Sequence, residues 1–156
     1  MTINEANSYR TAIARKNLSL PMCHLIDEWG MKFPSNPKYS LDYGCGRGYD
    51  ADFNGTYKYD PHYFPKKPKG PFQYITCIYV LNVVSVATGQ KIVEDIQRLL
   101  ARDGIAYVAW RADIKKPTKS QRTVNLYIMN DRGRLVRYGS DFNIVQIFKD
   151  DEVKVS

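Results

Sequence analysis

Leu41-Asp42-Tyr43-Gly44-Cys45-Gly46-Arg47-Gly48 decides the reading of this chain. Leu41 to Tyr43 continue a short strand that begins at Tyr39, and three glycines at alternate positions follow at once. Glycines directly after a strand let the main chain turn sharply and let a ligand approach backbone N–H groups with no Cβ in the way. Asp60 closes the next strand, Thr56 to Tyr59, near the spacing of roughly 20 residues at which dinucleotide-binding turns place their ribose acid. An acid there can accept hydrogen bonds from both ribose hydroxyls of a bound nucleoside. The bland alternative is a structural turn whose Asp60 only caps a strand end.

Outward from the turn, Phe72 to Val80 (FQYITCIYV) is an apolar, β-branched and aromatic run bounded by Gly70-Pro71, which suits a buried parallel strand. Thr88 to Arg102 is the clearest helix: Ile92, Val93, Ile96, Leu99 and Leu100 make its stripe, Thr88 is the expected cap and Gly104 the expected stop. Ile105 to Trp110 is the next buried strand. The tail segments TVNLYIMN, RLVRYG and NIVQIFK alternate as a final antiparallel group, with Asn130 to Gly133 as a turn. Before the turn, Ala6 to Lys16 and Pro21 to Met31 read as helices, the second capped by Ser19 with Met22, Leu25, Ile26 and Trp29 on its apolar face. The expected fold class is therefore α/β: a minimal Rossmann-like sheet, mostly parallel with a terminal antiparallel hairpin, and helices on both faces. One domain is expected over residues 1–156, with residues 1–38 as a helical N-terminal extension.

Composition narrows the partners. A net charge of +7 favours an anionic partner such as nucleic acid, a phosphorylated substrate or an anionic membrane surface. Twelve tyrosines can supply stacking platforms for bases, though tyrosine also fills half-exposed strands. No apolar run approaches the roughly 20 residues of a spanning helix, so a membrane partner is not expected. Glu5 and the missing apolar core of the N-terminus argue against a signal peptide, and the chain reads as cytoplasmic. Three scattered cysteines (Cys23, Cys45, Cys77) and two histidines (His24, His62) argue against a disulfide framework and against a metal site.

Glycine spacing selects among cofactors. The nicotinamide fingerprint requires G-x-G-x-x-G, whereas here an Asp precedes G-x-G-x-G, which disfavours a nicotinamide-dependent oxidoreductase. The D-x-G-x-G-x-G pattern resembles the cofactor motif of class I S-adenosylmethionine (SAM)-dependent methyltransferases. Arg10-Thr11-Ala12-Ile13-Ala14-Arg15, Leu18-Ser19-Leu20-Pro21, LDYGCGRGYD, YDPHYFP and YVLNVV together resemble the methyltransferase domain of DNA phosphorothioation-associated methyltransferases, over roughly residues 10–111. The resemblance implies SAM as cofactor, with Asp42, Gly44 and Gly46 at its methionine end, Asp60 on its ribose, and His62 and Tyr63 flanking the adenine. Tyr43, Cys45, Pro61, Val80 and Leu81 adjoin these positions and are read as lining the same pocket. Two departures stand out. Only Tyr49 to Gly55 separates the turn from the second strand, so the first helix is a stub. Residues between Asp60 and Phe72 leave no room for a further strand and helix.

The activated sulfonium methyl needs alignment more than acid–base chemistry. The Tyr79-Val80-Leu81-Asn82 stretch ends the strand beside the cofactor, so Tyr79 and Asn82 are the catalytic candidates, Asn82 by accepting a hydrogen bond from a target amine. A loop cap is the alternative task for Asn82. The N-P-P-Y-type tetrapeptide of amino-methylating DNA enzymes is missing. In an open parallel sheet, ligands bind outside the strands' carboxyl ends. The loops emerging there carry Lys66, Lys67, Lys69 and Arg111, followed by Lys115, Lys116, Lys119 and Arg122, which are read as holding a nucleic-acid backbone. Arg10 and Arg15 are read as folding over the site to meet a carboxylate or phosphate. The expected function is a SAM-dependent methyltransferase acting on nucleic acid or another anionic substrate. The alternative is a non-catalytic SAM- or nucleic-acid-binding protein derived from one.

Overall fold

The apolar runs become the middle of a sheet because only there are both of their faces covered. A computed structural model describes residues 17–27, 38–116 and 133–149 of the chain. Strands β1 (Ser40–Tyr43), β2 (Tyr57–Tyr59), β3 (Phe72–Ile78) and β4 (Leu100–Arg111) are parallel. β5 (Gly133–Arg137) and β6 (Phe142–Phe148) form a hairpin, and β6 runs antiparallel to β4. The order across the sheet is β2-β1-β3-β4-β6-β5. This is the expected mostly parallel sheet with its terminal antiparallel hairpin. Among the described residues no strand lies outside β2, as the short connection to β3 implies.

Side-chain alternation divides the sheet into two faces. On one, Leu41, Tyr43, Ile75, Val108 and Trp110 pack against Ile92, Val93 and Ile96 of helix α3 (Val86–Leu99). Each of those three α3 side chains is fully buried and contributes about 1.5–3 kcal/mol. On the other, Leu25 of helix α1 (Leu20–Asp27) packs against Tyr107, Ala109, Phe142 and Ile144. Helix α2 (Tyr49–Asn54) is the expected stub after the glycine turn.

Ser19 caps α1, its Oγ accepting from the Met22 N–H at 3.3 Å. Trp29 and the segments Ala6 to Lys16 and Thr123 to Asn130 lie outside the described residues. Two expectations about α3 are corrected. Its cap is Ser85, whose Oγ accepts from the Thr88 N–H at 3.2 Å, so Thr88 is the capped residue. Gly104 does not stop the helix either. α3 ends at Leu99 and runs straight into β4, where a Cβ on Gly104 would lie 2.6 Å from the Phe72 carbonyl oxygen. Gly104 is required by close strand approach, beside the register shift between Phe72 and Tyr74.

Candidate functional site

The turn after β1 needs its glycines. Gly44, Gly46 and Gly48 have φ of 77°, 57° and 89°, a region open mainly to glycine. The Gly44 and Cys45 N–H groups both donate to the Tyr59 carbonyl, at 2.7 and 3.0 Å, which laces the turn to the end of β2. Asp60 completes the lacing. Its Oδ1 accepts from the Gly46 N–H at 3.1 Å, and its Oδ2 from the N–H groups of His62 and Tyr63, each at 3.0 Å. A carboxylate offers about four acceptor positions, so three main-chain donors leave it roughly one for a ribose. The strand-capping role set against the ribose role in the sequence is thus present in the fold.

Two further acids surround the turn. Asp42 is buried and accepts from Thr76 Oγ1 at 3.1 Å. Burial, then the neighbouring charge of Asp50, push its carboxyl pKa up to about 8, with Thr76 opposing and Asp60 adding to the rise. Asp50, in the first turn of α2, accepts from the Ser19 N–H at 2.9 Å and from Ser19 Oγ at 2.5 Å. The start of α1 is thereby strapped to the helix that follows the glycine turn. Sequence reasoning missed Asp50; its only signal was an acid two residues after Gly48. Arg10 and Arg15 lie outside the described residues.

The other cofactor candidates divide. Tyr43 is corrected: alternation turns its ring away from Asp42 into the core, where its hydroxyl donates to Asp95 Oδ2 at 2.7 Å. Only its main chain borders the turn. Cys45 is half-buried, and burial, then Asp42 and Asp60, push its thiol pKa upward, so it is no thiolate nucleophile. Pro61 is half-buried, and the exposed His62 packs edge-on against Tyr63 at 4.6 Å. Val80 and Leu81 are buried below the end of β3.

Beyond β3 the chain is strained and then anchored. Tyr79 has φ 62°, uncommon for a residue with a Cβ, and its N–H donates to the Ala109 carbonyl at 2.9 Å. Asn82 is 1% exposed, and its Oδ1 accepts from the Arg111 N–H at 3.3 Å. This corrects the expectation that its carbonyl faces an acceptor amine: a sealed amide already bonded to β4 orients the chain, not a substrate. The Arg111 guanidinium makes a two-pronged pair with Asp113, at 3.0 and 2.7 Å. Lys66, Lys67 and Lys69 are exposed on the loop after β2, and Lys66 lines a groove of about 500 Å³ with Tyr57 and Phe64. β1 and β3 lie between that loop's strand and β4, so the loop lysines and Arg111 form two basic regions and not one. Lys119 and Arg122 lie outside the described residues. No group of three metal-ligating side chains forms among the described residues, and none of their helices is long and apolar enough to cross a membrane.

No family model and no curated protein matches the chain. Solved structures do. A TehB-like SAM-dependent methyltransferase from Corynebacterium glutamicum superposes with a TM-score of 0.58 at 18% identity, covering 93% of this chain and 96% of that one. The N-methyltransferase NodS from Bradyrhizobium japonicum, in complex with S-adenosyl-L-homocysteine, gives 0.57 at 11% identity over 83% and 84%. Magnesium protoporphyrin IX methyltransferase from Synechocystis, also with S-adenosylhomocysteine bound, gives 0.52 at 9% identity over 90% and 92%. The chain has a Rossmann-like methyltransferase fold. Within this methyltransferase fold the glycine turn, Asp42 and Asp60 stand at the carboxyl ends of β1 and β2, where open parallel sheets bind ligands. Nothing in these likenesses points to the phosphorothioation-associated branch.

Proposed function

We propose that this chain is a SAM-dependent methyltransferase whose acceptor is nucleic acid or another anionic molecule. The observation that carries the reading is the grouping of Asp42, Asp50 and Asp60 about a glycine turn at the strands' carboxyl ends. The cofactor's sulfonium and ammonium are both cationic, and buried carboxylates offset such charges. When bound, the cofactor supplies an activated methyl group. The residues of the chain need only hold, orient and exclude water. Gly44 and Gly46 leave main-chain space for the methionine end. Asp60 offers its remaining acceptor position to a ribose hydroxyl while bracing the turn. Asp42, whose carboxyl pKa burial pushes up to about 8, would favour its ionised form beside a bound cation and release its proton to solvent. The net charge of +7 and the exposed Lys66, Lys67 and Lys69 support an anionic acceptor.

The engagement of Asn82 with Arg111 favours a second reading, a protein that holds the cofactor without transferring its methyl. Titration calorimetry with SAM and its demethylated product, followed by radiolabelled transfer into DNA, RNA and protein fractions, separates the two. Binding with label moved supports the enzyme. Binding with no label moved supports the second reading, and no binding removes both.

A further inference from the structure

The turn between β5 and β6 is fixed more firmly than a surface hairpin requires. Arg137 Nη1 donates to Asp141 Oδ1 at 2.9 Å and to the Phe142 carbonyl at 2.6 Å, and its guanidinium lies 3.6 Å from the Phe142 ring centroid. The Gly139 N–H donates to Asn143 Oδ1 at 3.0 Å, and the Ala112 N–H to the Asp141 carbonyl at 2.9 Å. The residue this framework carries is Tyr138, 75% exposed and the most exposed large hydrophobic among the described residues. Tyr138 borders a groove of about 380 Å³ at the end of β4, together with Arg111, Lys115, Ser140 and Asn143. That volume falls within the roughly 300–1,000 Å³ of small-molecule sites. Arg111 is also held, from its main chain by Asn82 and from its side chain by Asp113, with Nη1 outside the pair.

A solvent-facing ring on a braced turn, lining one groove with two cations, has the chemistry to take a planar group that carries negative charge. We infer that this groove binds a nucleotide of single-stranded nucleic acid, its base stacked on Tyr138 and its phosphate at Arg111 and Lys115. A single strand is required because a duplex hides the base faces that Tyr138 would cover. The inference rests on the nucleic-acid part of the proposed function, and it moves the binding surface from the loop lysines to the β4 groove.

Fluorescence anisotropy with a short labelled oligothymidylate, its RNA counterpart and a duplex of equal length, without cofactor, tests it. The single strands should bind more tightly than the duplex. Tyr138→Ala should weaken single-strand binding about tenfold and Tyr138→Phe should restore it. Arg111→Ala with Lys115→Ala should flatten the slope of log affinity against log salt by about 0.7 for each phosphate that is no longer neutralised. Loss of binding in a Lys66→Ser, Lys67→Ser, Lys69→Ser variant, with Tyr138→Ala unchanged, would overturn this site and leave nucleic-acid binding standing. A parent protein that binds no oligonucleotide at low salt overturns it too, while the calorimetry with SAM still decides the methyltransferase reading.

Discussion

The carboxyl ends of the strands are built in two opposite ways. At β1 and β2, three acids are buried and committed to partners within the chain: Asp60 to three main-chain N–H groups, Asp50 to Ser19, Asp42 to Thr76. At β4 and the β5–β6 turn, the buried bonds fix the main chain, while Tyr138 and the Arg111–Asp113 pair face solvent. The first arrangement is a preorganised cradle whose loss should unravel structure. The second holds solvent-facing groups on a rigid support, so Tyr138 and the Arg111–Asp113 pair should be nearly neutral for stability. Mutations at the two ends can break that contrast.

The largest effect is expected at Asp60. Removing its carboxylate strands the N–H groups of Gly46, His62 and Tyr63, at about 1–3 kcal/mol for each that water cannot reach. Asp60→Ala should therefore lower unfolding stability by about 4 kcal/mol in urea titration, and Asp60→Asn by less. A folded, undiminished Asp60→Ala protein that merely loses SAM affinity would show that the carboxylate serves the ribose and not the turn.

Asp42 should come next, with an effect that depends on pH. Its folded pKa of about 8 lies above the ordinary value of 3.8, so between those values the folded chain holds a proton that the unfolded chain has released. Stability from this group is full below about pH 4 and is lost as pH rises toward 8. Asp42→Asn removes the loss, so its stabilising effect should be almost nothing at pH 4 and should grow steadily as pH rises toward 8. In the same window the parent should bind SAM more tightly as pH rises, by up to about tenfold per unit, because the cation favours the ionised form. Asp42→Asn should flatten that dependence. A parallel pair of denaturation and calorimetry series across pH 5–8 checks both signs.

What the sequence made legible follows the same division. Positive φ at three alternate positions can be met cheaply only by glycine, so the turn is written in residue types. β3 and β4 are covered on both faces and must be apolar, so they too could be read. Gly104 was misread because a glycine forced by strand approach looks the same in sequence as one that ends a helix. Ser85 and Thr88 are both cap-forming types one turn apart, and the side chain that accepts was decided by where the helix begins. Asp50 carries no periodic pattern: its role comes from contact with Ser19, in a segment distant in the chain, which spacing within one segment cannot encode.

Asn82 tests the join between the two ends. Asn82→Ala leaves the Arg111 N–H without its partner beneath the surface and should cost about 1–2 kcal/mol, read by thermal melting. Its effect on SAM affinity should be small. If methyl transfer is found, turnover should fall together with the positioning of Arg111, and Arg111→Ala should add little to the double variant. Fully additive losses would mean that Asn82 touches the acceptor itself.

The smallest effect is expected at Asp113. Its pair with Arg111 has good two-pronged geometry, yet Asp113 and Arg111 side chains remain 49% and 37% exposed. Water and salt screen such a pair, so its net worth is about 0–0.5 kcal/mol. The hydrogen bond from Arg111 holds the Asp113 carboxyl below its ordinary pKa. Whatever stability the pair adds is present above the ordinary carboxylate range and disappears as pH falls through the lowered value. Asp113→Ala should thus leave the melting temperature nearly unchanged at pH 7, in contrast to Asp60→Ala. What it should alter is Arg111: freed from one fixed orientation, the guanidinium loses preorganisation for a phosphate, and oligonucleotide affinity should drop a few-fold with the salt slope kept. A large stability loss in Asp113→Ala would place the β4 end in the same class as the glycine turn, and the contrast between a buried end and a solvent-facing one would fail.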